Sequence, residues 1–567
     1  RIESDIVICG AGPVGLYAAL ELHRNGIPLE QLHVIDRRPT PDEHDKTKSK
    51  ALAVHARTLE ALESGGFEKP FLEKGLKSVV SEIWYKNAKQ AELNFGTMPS
   101  KYNYAIFIPQ YNTEEILYNF CIEKGIKITW NTEVDSVTQD VEGVTINCTS
   151  FEEESNVTYR AKWVLGCDGG HSQVRRSLNM EFTGENLEAL FIMASVKISM
   201  NAQPVDNVAL FIDDGANVLL PEPGGRARII LSYPWKQKDE VPEHPSLEFI
   251  SELLEKKVPY HKFELSEPHW LTRFEIHERI ISSYRNGRVF FAGDAAHTHS
   301  PFGGQGMNTG MQDVYNLAWK LGLVYRGIGS TSLLDTYNEE RHPVAAALLK
   351  NTTLQTKIAA SSNAILTVIR NAVVTNILPF GFVQDAISPG VGMLNISYAG
   401  KTLGNITSSS MMKFLSREKL SPGDFITKLT CKSSIFPKIE KEIDLKSILT
   451  GNYFNVLLIC GLEMAIAAIT NMNEVAKAIR RRGYPASTNF LKICVILPPD
   501  HEKCMQDVLT TPECEDLYDY VVVDSDDLKI HEYFGVYSGS GSVLIRPDWH
   551  LGVKLEPASA NIVDYLR

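Results

Sequence analysis

The apolar positions of this chain cluster in short runs that are bounded by glycine, proline and acidic residues, the signature of alternating buried strands and helices. Asp5–Cys9 (DIVIC) is an apolar run fit for a buried parallel strand and passes directly into Gly10-Ala-Gly-Pro-Val-Gly15. Leu16–Asn25 has helical spacing, Gly26 stops it, and Leu32–Ile35 predicts the next strand, ending at Asp36. Tyr159–Cys167 predicts a strand that ends in Asp168-Gly-Gly-His-Ser172. Arg288–Ala292 predicts another, running into Gly293–Asn308 (GDAAHTHSPFGGQGMN), and Thr309–Leu323 then has the length and spacing of a helix. Leu190–Ile198, Val218–Leu220 and Ala227–Tyr233 read as an antiparallel sheet. Beyond Arg341 and Pro343 lies a long helical region with Ser/Gly-rich breaks up to about residue 410, its apolar stripe expected to be core or a dimer face. From about residue 415, strands are expected at Phe454–Cys460, Lys492–Leu497, Tyr518–Val523 and Ser542–Ile545. Gly539-Ser-Gly541 reads as a hairpin turn, and Arg546-Pro-Asp-Trp549 as a further turn.

Two of these punctuated stretches carry chemistry. In the first, Gly10 makes the turn, Gly12 lets the backbone approach a pyrophosphate, and Gly15 lets helix and strand pack closely. Asp36 stands 21 residues past Gly15, where an acid accepts hydrogen bonds from ribose hydroxyls. Strand, glycines, helix, strand and acid together indicate a dinucleotide, without choosing between FAD and NAD; Arg37 would suit a ribose phosphate. In the second, the glycines of Gly293–Asn308 leave outward-facing N–H groups beside the positive end of a helix dipole, a site for an anion or an electron-rich ring. The alternative for that stretch alone is a surface turn.

At 567 residues the chain is expected to hold about three domains of ~100–200 residues. Its net charge of −12 argues against nucleic acid and against an anionic membrane surface. No run reaches the ~18–20 apolar residues of a membrane span, and the first residues do not read as a signal peptide. Nine scattered cysteines lack CxxC or metal spacing, the nearest pair in the tail being Cys504 and Cys514. Reduced thiols, a cytoplasmic location and no metal are therefore expected. His297 and His299 lack an acid or thiol that would complete a metal site.

In order and spacing, the motifs at Gly10–Gly15, Gln110 and Glu114, Asp168–Arg176 and Gly293–Asn308 resemble the class A flavoprotein monooxygenases, the group containing para-hydroxybenzoate hydroxylase and phenol hydroxylase. The resemblance covers residues 1 to about 355. It implies FAD, with NADPH or NADH as a transient reductant. By the same resemblance Gly10, Gly12, Val14 and Gly15 hold the pyrophosphate, and Asp36 and Arg37 the adenosine side. Gln110 contacts the ribityl chain, Val134 lies beside the adenine, and Asp168 belongs to a motif tied to both FAD and NAD(P)H. Asp294 binds sugar or ribityl hydroxyls, while Pro301, Gly304, Gln305, Gly306, Met307 and Asn308 run along the isoalloxazine. Lys50 stands where many relatives have arginine, keeping the charge without the fork. Leu52 and Phe274 stand where phenol hydroxylase has an acid and a tyrosine, so that relay is not expected here.

The implied fold is α/β: a Rossmann-like FAD-binding domain of the para-hydroxybenzoate hydroxylase type (1–185, with about 76–100 joining the next domain), an antiparallel-sheet substrate domain (186–280), the remaining FAD-binding part with long helices (281–410), and a thioredoxin-like C-terminal domain lacking CxxC (411–567). Only one strand–GxGxxG–helix unit is present, so the nicotinamide must visit transiently. The implied activity is hydroxylation of a phenolic, aromatic or polyketide-type substrate by dioxygen through a flavin C4a-hydroperoxide, in a homodimer. Alternatives are a flavin-dependent epoxidase or ring-expanding oxygenase, and a non-catalytic flavin-binding redox sensor. Holding a phenol with a pKa near ~10 as its phenolate at neutral pH needs roughly 4 kcal/mol. His55, Arg226, Arg228, Tyr233 and Arg273 are the candidates near the pocket, and none is assigned as catalytic.

Overall fold

The structure is a computed structural model that describes all residues except 42–49, 213–214, 301, 360–371, 374–375, 379, 405–419, 428, 437, 440, 450, 463–464, 483–489, 500–516 and 567. Pro301, Cys504 and Cys514 thus lie outside the described residues. The chain divides into two compact units, residues 1–318 with 341–394, and residues 319–340 with 395–567.

The first unit is built on an eight-stranded sheet whose central strand, β1 (Ile2–Cys9), is flanked by Leu32–Ile35 and Ser155–Gly166, both parallel to it. Val289–Phe291 extends the parallel set on the Ser155–Gly166 side. Cys9 is in register with both Ile35 and Gly166, and Gly166 with Phe291, so these strands end at one edge. β1 forms because Ile6, Val7, Ile8 and Cys9 have no exposed surface, the continuous burial of a strand covered on both faces. Its helix, α1 (Pro13–Arg24), starts with proline in its first turn, where the missing N–H costs nothing.

A nine-stranded sheet forms the second layer of this unit. Its long strands Phe182–Met200 and Phe263–Ile281 pair antiparallel, followed by Arg226–Tyr233 and Asn217–Glu222. Val80–Tyr85 and Ala88–Asn94 belong to the same sheet. Strand alternation sends Ile192, Ala194, Val196, Ala227, Ile229 and Leu231 into one core, against Ile250 and Leu254 of the helix Leu247–Lys257. The opposite face carries Phe191, Arg228, Leu220 and Glu222. A short three-stranded sheet contains Ala53–Val54, and there Leu52 and Ala53 pack with Leu220 and Val208 of the large sheet.

The second unit holds a seven-stranded sheet. Phe454–Cys460, Leu491–Leu497 and Tyr520–Asp524 run parallel, and Ser540–Ile545 pairs antiparallel with Phe454–Cys460. Ser540–Ile545 forms a hairpin with Leu551–Leu555 across the Arg546–Trp549 turn, where Trp549 adopts φ 62°. The Gly539–Gly541 stretch differs from the expected hairpin. It follows the helix Lys529–Phe534 and delivers the chain to a strand paired with Phe454–Cys460. Gly539 is there for its left-handed conformation, φ 66° with open space where a Cβ would sit, and Gly541 for close approach, since a Cβ on it would meet the Val536 side chain at 2.7 Å. In the same unit Arg546 bridges Glu340 and Asp548, and Lys320 caps Glu340 at 2.7 Å, all buried.

Candidate active site

The four punctuated stretches of the sequence meet at the carboxyl edge of the parallel strands, because each follows one of four adjacent strands directly. Open α/β sheets bind ligands at this edge. The turn after β1 requires glycine at two positions. Gly10 has φ 105°, and a Cβ there would lie 2.3 Å from Cys167 O; a Cβ on Gly15 would lie 1.8 Å from Gly10 O. A Cβ on Gly12, by contrast, would meet only an Arg38 guanidinium nitrogen at 3.9 Å, so this backbone faces open space.

Asp36 ties the next strand end to that turn, accepting from Ala11 N at 2.6 Å and from Arg38 N at 2.8 Å. The two arginines after it diverge. Arg37 is largely exposed and reaches Glu133 at 3.5 Å, beside half-buried Val134 on the strand Thr132–Gln139. Arg38 turns inward to Asp36 (3.2 Å) and Glu114 (3.1 Å). Burial works against its charge, but the two carboxylates outweigh burial and raise its pKa. Glu114 accepts from Gln110 Nε2 at 2.8 Å, and Gln110 Oε1 accepts from Ala51 N at 2.9 Å. A continuous polar chain thus runs from Asp36 to the segment that carries exposed Lys50. Sequence reasoning missed Arg38. Its signal was a second basic residue after the strand-ending acid, at the position whose alternation points inward.

Asp168 accepts from the amides of Gln173 (2.7 Å) and Val174 (3.1 Å), which leaves Oδ1 buried without a partner. Burial raises its pKa, against the donors from Ser172, Val174 and Gln173. Arg175 clamps this loop to the Gly293 loop, donating to Gly170 O (2.7 Å) and Ala295 O (3.0 Å) with its guanidinium over Phe182 at 3.8 Å. Asp294 has an accessible surface and no hydrogen-bond partner among the described residues, yet surrounding protein raises its carboxyl pKa against the pull of His297 and Lys50.

Behind Asp294 the loop is anchored by Asp313, on the helix Gly306–Tyr325. Asp313 is fully buried and accepts from His297 Nε2 (2.8 Å), Arg341 Nε (2.8 Å) and Gly293 N (3.3 Å). Val14 seats the same loop, since Cβ atoms on Gly293 and Gly310 would approach it at 3.0 and 2.7 Å. His299, pushed down to about 3 chiefly by burial, lies beside Gly306. The helix starts at Gly306, earlier than Thr309, so Met307 and Asn308 are in its first turn and Gln305 just precedes it. Met307 is almost buried, and Asn308 is fully buried. Strand Phe263–Ile281 of the large sheet pairs with His297–Thr298, joining that sheet to this loop.

The arginines of the large sheet are committed to the protein. Arg228 is 2% exposed, contacts Glu222 at 3.0 Å and donates to Lys50 O at 2.8 Å. Arg226 donates to the carbonyls of Ser195 and Glu267, and Arg273 to those of Lys238 and Val241. Burial, with Glu240 nearby, raises the pKa of Tyr233. His55 is buried and bonded to Gly303 O at 2.8 Å. Phe274 stacks on Phe191 at 5.8 Å and Leu52 packs with Leu220, so the positions where an acid and a tyrosine would act hold hydrocarbon.

The groups at the edge fit FAD: an open glycine turn, a carboxylate oxygen buried without a partner, an accessible unpartnered carboxylate, and a glycine loop at a helix N-terminus.

The FAD binding domain family matches residues 3–352. The chain is 33% identical over 401 residues to "Uncharacterized aromatic compound monooxygenase YhjG" of Bacillus subtilis (strain 168), covering 70% of this chain and 77% of that protein. It is 34% identical over 416 residues to 6-methylpretetramide 4-monooxygenase of Streptomyces rimosus, covering 70% and 71%. The solved structure of OxyS anhydrotetracycline hydroxylase from Streptomyces rimosus superposes with a TM-score of 0.73 at 24% identity, covering 100% of this chain and 99% of that one, a likeness of fold.

Proposed function

This chain belongs to the FAD binding domain family and to its class A flavin-dependent aromatic monooxygenases, and from that premise we propose that it hydroxylates a phenolic, aromatic or polyketide-type compound with NADPH or NADH and dioxygen. The observation that carries the reading is the meeting of the Gly10 turn, Asp36, Asp168 and the Gly293–Asn308 loop at one sheet edge. The bound FAD supplies the oxygen-activating redox chemistry.

The residues of this chain supply binding, orientation and exclusion of water. Gly10, Gly12, Val14 and Gly15 form the pyrophosphate turn, with Asp36 on the adenosine ribose. Arg38 is the cation turned inward there, while Arg37 and Val134 flank the adenosine side. Gln110 and Asp294 serve the ribityl chain, Asp168 the shared motif, and Lys50 the diphosphate. Gly304, Gln305, Gly306, Met307 and Asn308 make the isoalloxazine wall, where a helix N-terminus favours negative charge on the ring. Above it, Phe191, Phe274 and Leu52 give an apolar surface suited to a ring system.

We assign residues 1–185 and 281–410 to FAD binding, 186–280 with about 76–100 to substrate, and 411–567 to a thioredoxin-like domain in a cytoplasmic homodimer. Support for the last domain is its topology. Parallel strands Phe454–Cys460 and Leu491–Leu497 bracket the helix Ala465–Arg481, and an antiparallel hairpin follows. Without CxxC this domain is structural. No helix of the described residues is long and apolar enough to cross a membrane.

The test is a steady-state assay over a panel of phenols and polycyclic aromatics. Substrate-stimulated NAD(P)H oxidation with matching dioxygen uptake and a product one oxygen heavier is expected. No stimulation by any compound would sink the reading, and the site of the added oxygen separates hydroxylation from epoxidation.

A further inference from the structure

The strand Ala53–Val54 and the adjoining His55 are fastened to the glycine loop by three hydrogen bonds, and a fourth lies within the loop. His55 N donates to Asn308 Oδ1 at 2.9 Å, and Asn308 Nδ2 donates to Ala53 O and to Gly304 O, each at 2.9 Å. Another joins the His55 ring to Gly303 O at 2.8 Å. A carbonyl only accepts, so Nε2 carries the proton and the tautomer of His55 is fixed. Both side chains are buried, at 4% and 0% exposure, so water is a poor substitute for either bond.

These bonds act on two consecutive glycines in the left-handed region, Gly303 at φ 78° and Gly304 at φ 61°. In a planar trans peptide the C=O of one residue and the N–H of the next point in opposite directions. Holding Gly303 O on the His55 ring therefore turns the Gly304 N–H away from the Ala53–His55 strand. Holding Gly304 O on Asn308 turns the Gln305 N–H away from the Asn308 side chain. Two successive amides, next to the positive end of the Gly306–Tyr325 helix, are thereby turned away from the His55 ring and the Asn308 side chain. Glycine pairs adopt many conformations, so without a fixed acceptor this orientation would be one of several.

We propose that His55 is a positioning residue that sets the Gly303–Gly304 peptides as a two-amide cradle, and that this cradle favours the reduced, more negatively charged state of the bound isoalloxazine. The inference rests on the FAD reading above. His55 acts through backbone orientation and touches no reacting atom. Nothing about residue type alone marks it, since a histidine before a helix reads as a capping or packing residue. The cradle has a redox consequence because preorganised amides stabilise charge that develops at the ligand more than they stabilise the neutral ring.

The test uses the full-length protein and two polar variants, His55→Gln, whose amide reaches Gly303 O, and His55→Asn, which is one methylene too short. FAD affinity is read by titrating the apoprotein, and the flavin midpoint potential by equilibration with reference dyes. His55→Gln is expected to stay within about twofold of wild type in affinity and to keep its potential. His55→Asn is expected to lose roughly tenfold of the preference for reduced flavin, a shift of about 30 mV to more negative potential for a two-electron couple. Wild type that binds FAD while His55→Asn matches it in potential overturns the clasp alone. So does an equal shift in both variants, which would show that the imidazole and not the Gly303 bond matters. Wild type with no affinity for FAD overturns the cofactor reading and the clasp together.

Discussion

The sheet edge that carries the cofactor groups and the sheet face that covers them are specified in different ways. At the edge, position is set by backbone: Gly10 at φ 105°, Asp36 on Ala11 N, Asp168 on two amides, Asp313 on Gly293 N. On the facing sheet, position is set by side-chain packing: Phe274 on Phe191, Leu52 on Leu220, Arg228 enclosed with Glu222. Backbone geometry needs particular residues and tolerates few others, whereas packing is satisfied by many apolar combinations of equal volume. Under the proposed function, the first arrangement suits a fixed cofactor and the second a surface free to vary with the substrate.

Substitutions that tighten or break this contrast rank by expected effect. Gly15→Val is the most severe, since even a Cβ would sit 1.8 Å from Gly10 O. Overpacking of about 1–3 kcal/mol or more should appear as loss of FAD on purification, roughly 100-fold in affinity. Asp313→Asn removes one partner of a buried ion pair with Arg341 and should cost about 3–5 kcal/mol in chemical denaturation. Its pH dependence has a defined sign. Burial opposes the Asp313 charge, but Arg341 and His297 outweigh burial and hold its pKa below the ordinary 3.8. A depressed acid contributes stability above its unfolded pKa and loses it as pH falls through the folded one. The stability gap between wild type and Asp313→Asn should therefore be complete near neutrality and close progressively below pH 3.8.

Arg38→Ala should weaken FAD binding by about tenfold, as loss of a charge-assisted contact costs about 1.5–3 kcal/mol before solvent compensation. Phe274→Ala tests the other side. It should raise KM or move the oxygenation position while FAD affinity stays within about twofold, because its contacts are with Phe191 and other apolar residues of the large sheet. A large FAD effect from Phe274→Ala would erase the distinction between the two regions. Arg37→Ala is the smallest change, within about 0.5 kcal/mol in stability, because its ion pair with Glu133 is solvent-exposed.

The same contrast explains what could be read from the sequence. Leu32–Ile35 and Phe454–Cys460 have the boundaries that the apolar runs indicate, because burial on both faces leaves a string that is apolar at every position but one, His33 and Asn455 respectively. The glycine turn and the acids were legible because each needs one residue type. The choice of Arg38 over Arg37 was not, since both are basic and only strand direction separates them. The Gly539–Gly541 misreading has a similar origin: a hairpin turn, a left-handed residue between a helix and a strand, and a close side-chain approach all ask for glycine. The roles of Asp313 and His55 depend on contacts across 16 to 253 positions, which spacing within a motif does not encode. What the facing sheet recognises is hidden for the same reason.

The most direct measurement is turnover under oxygen-18 gas with NAD(P)H and a stimulating aromatic compound, followed by mass spectrometry of the product. One labelled oxygen atom in the product, with NAD(P)H consumed only when FAD is bound, is the result this account predicts. An unlabelled product, or label incorporated equally by protein stripped of FAD, would contradict it.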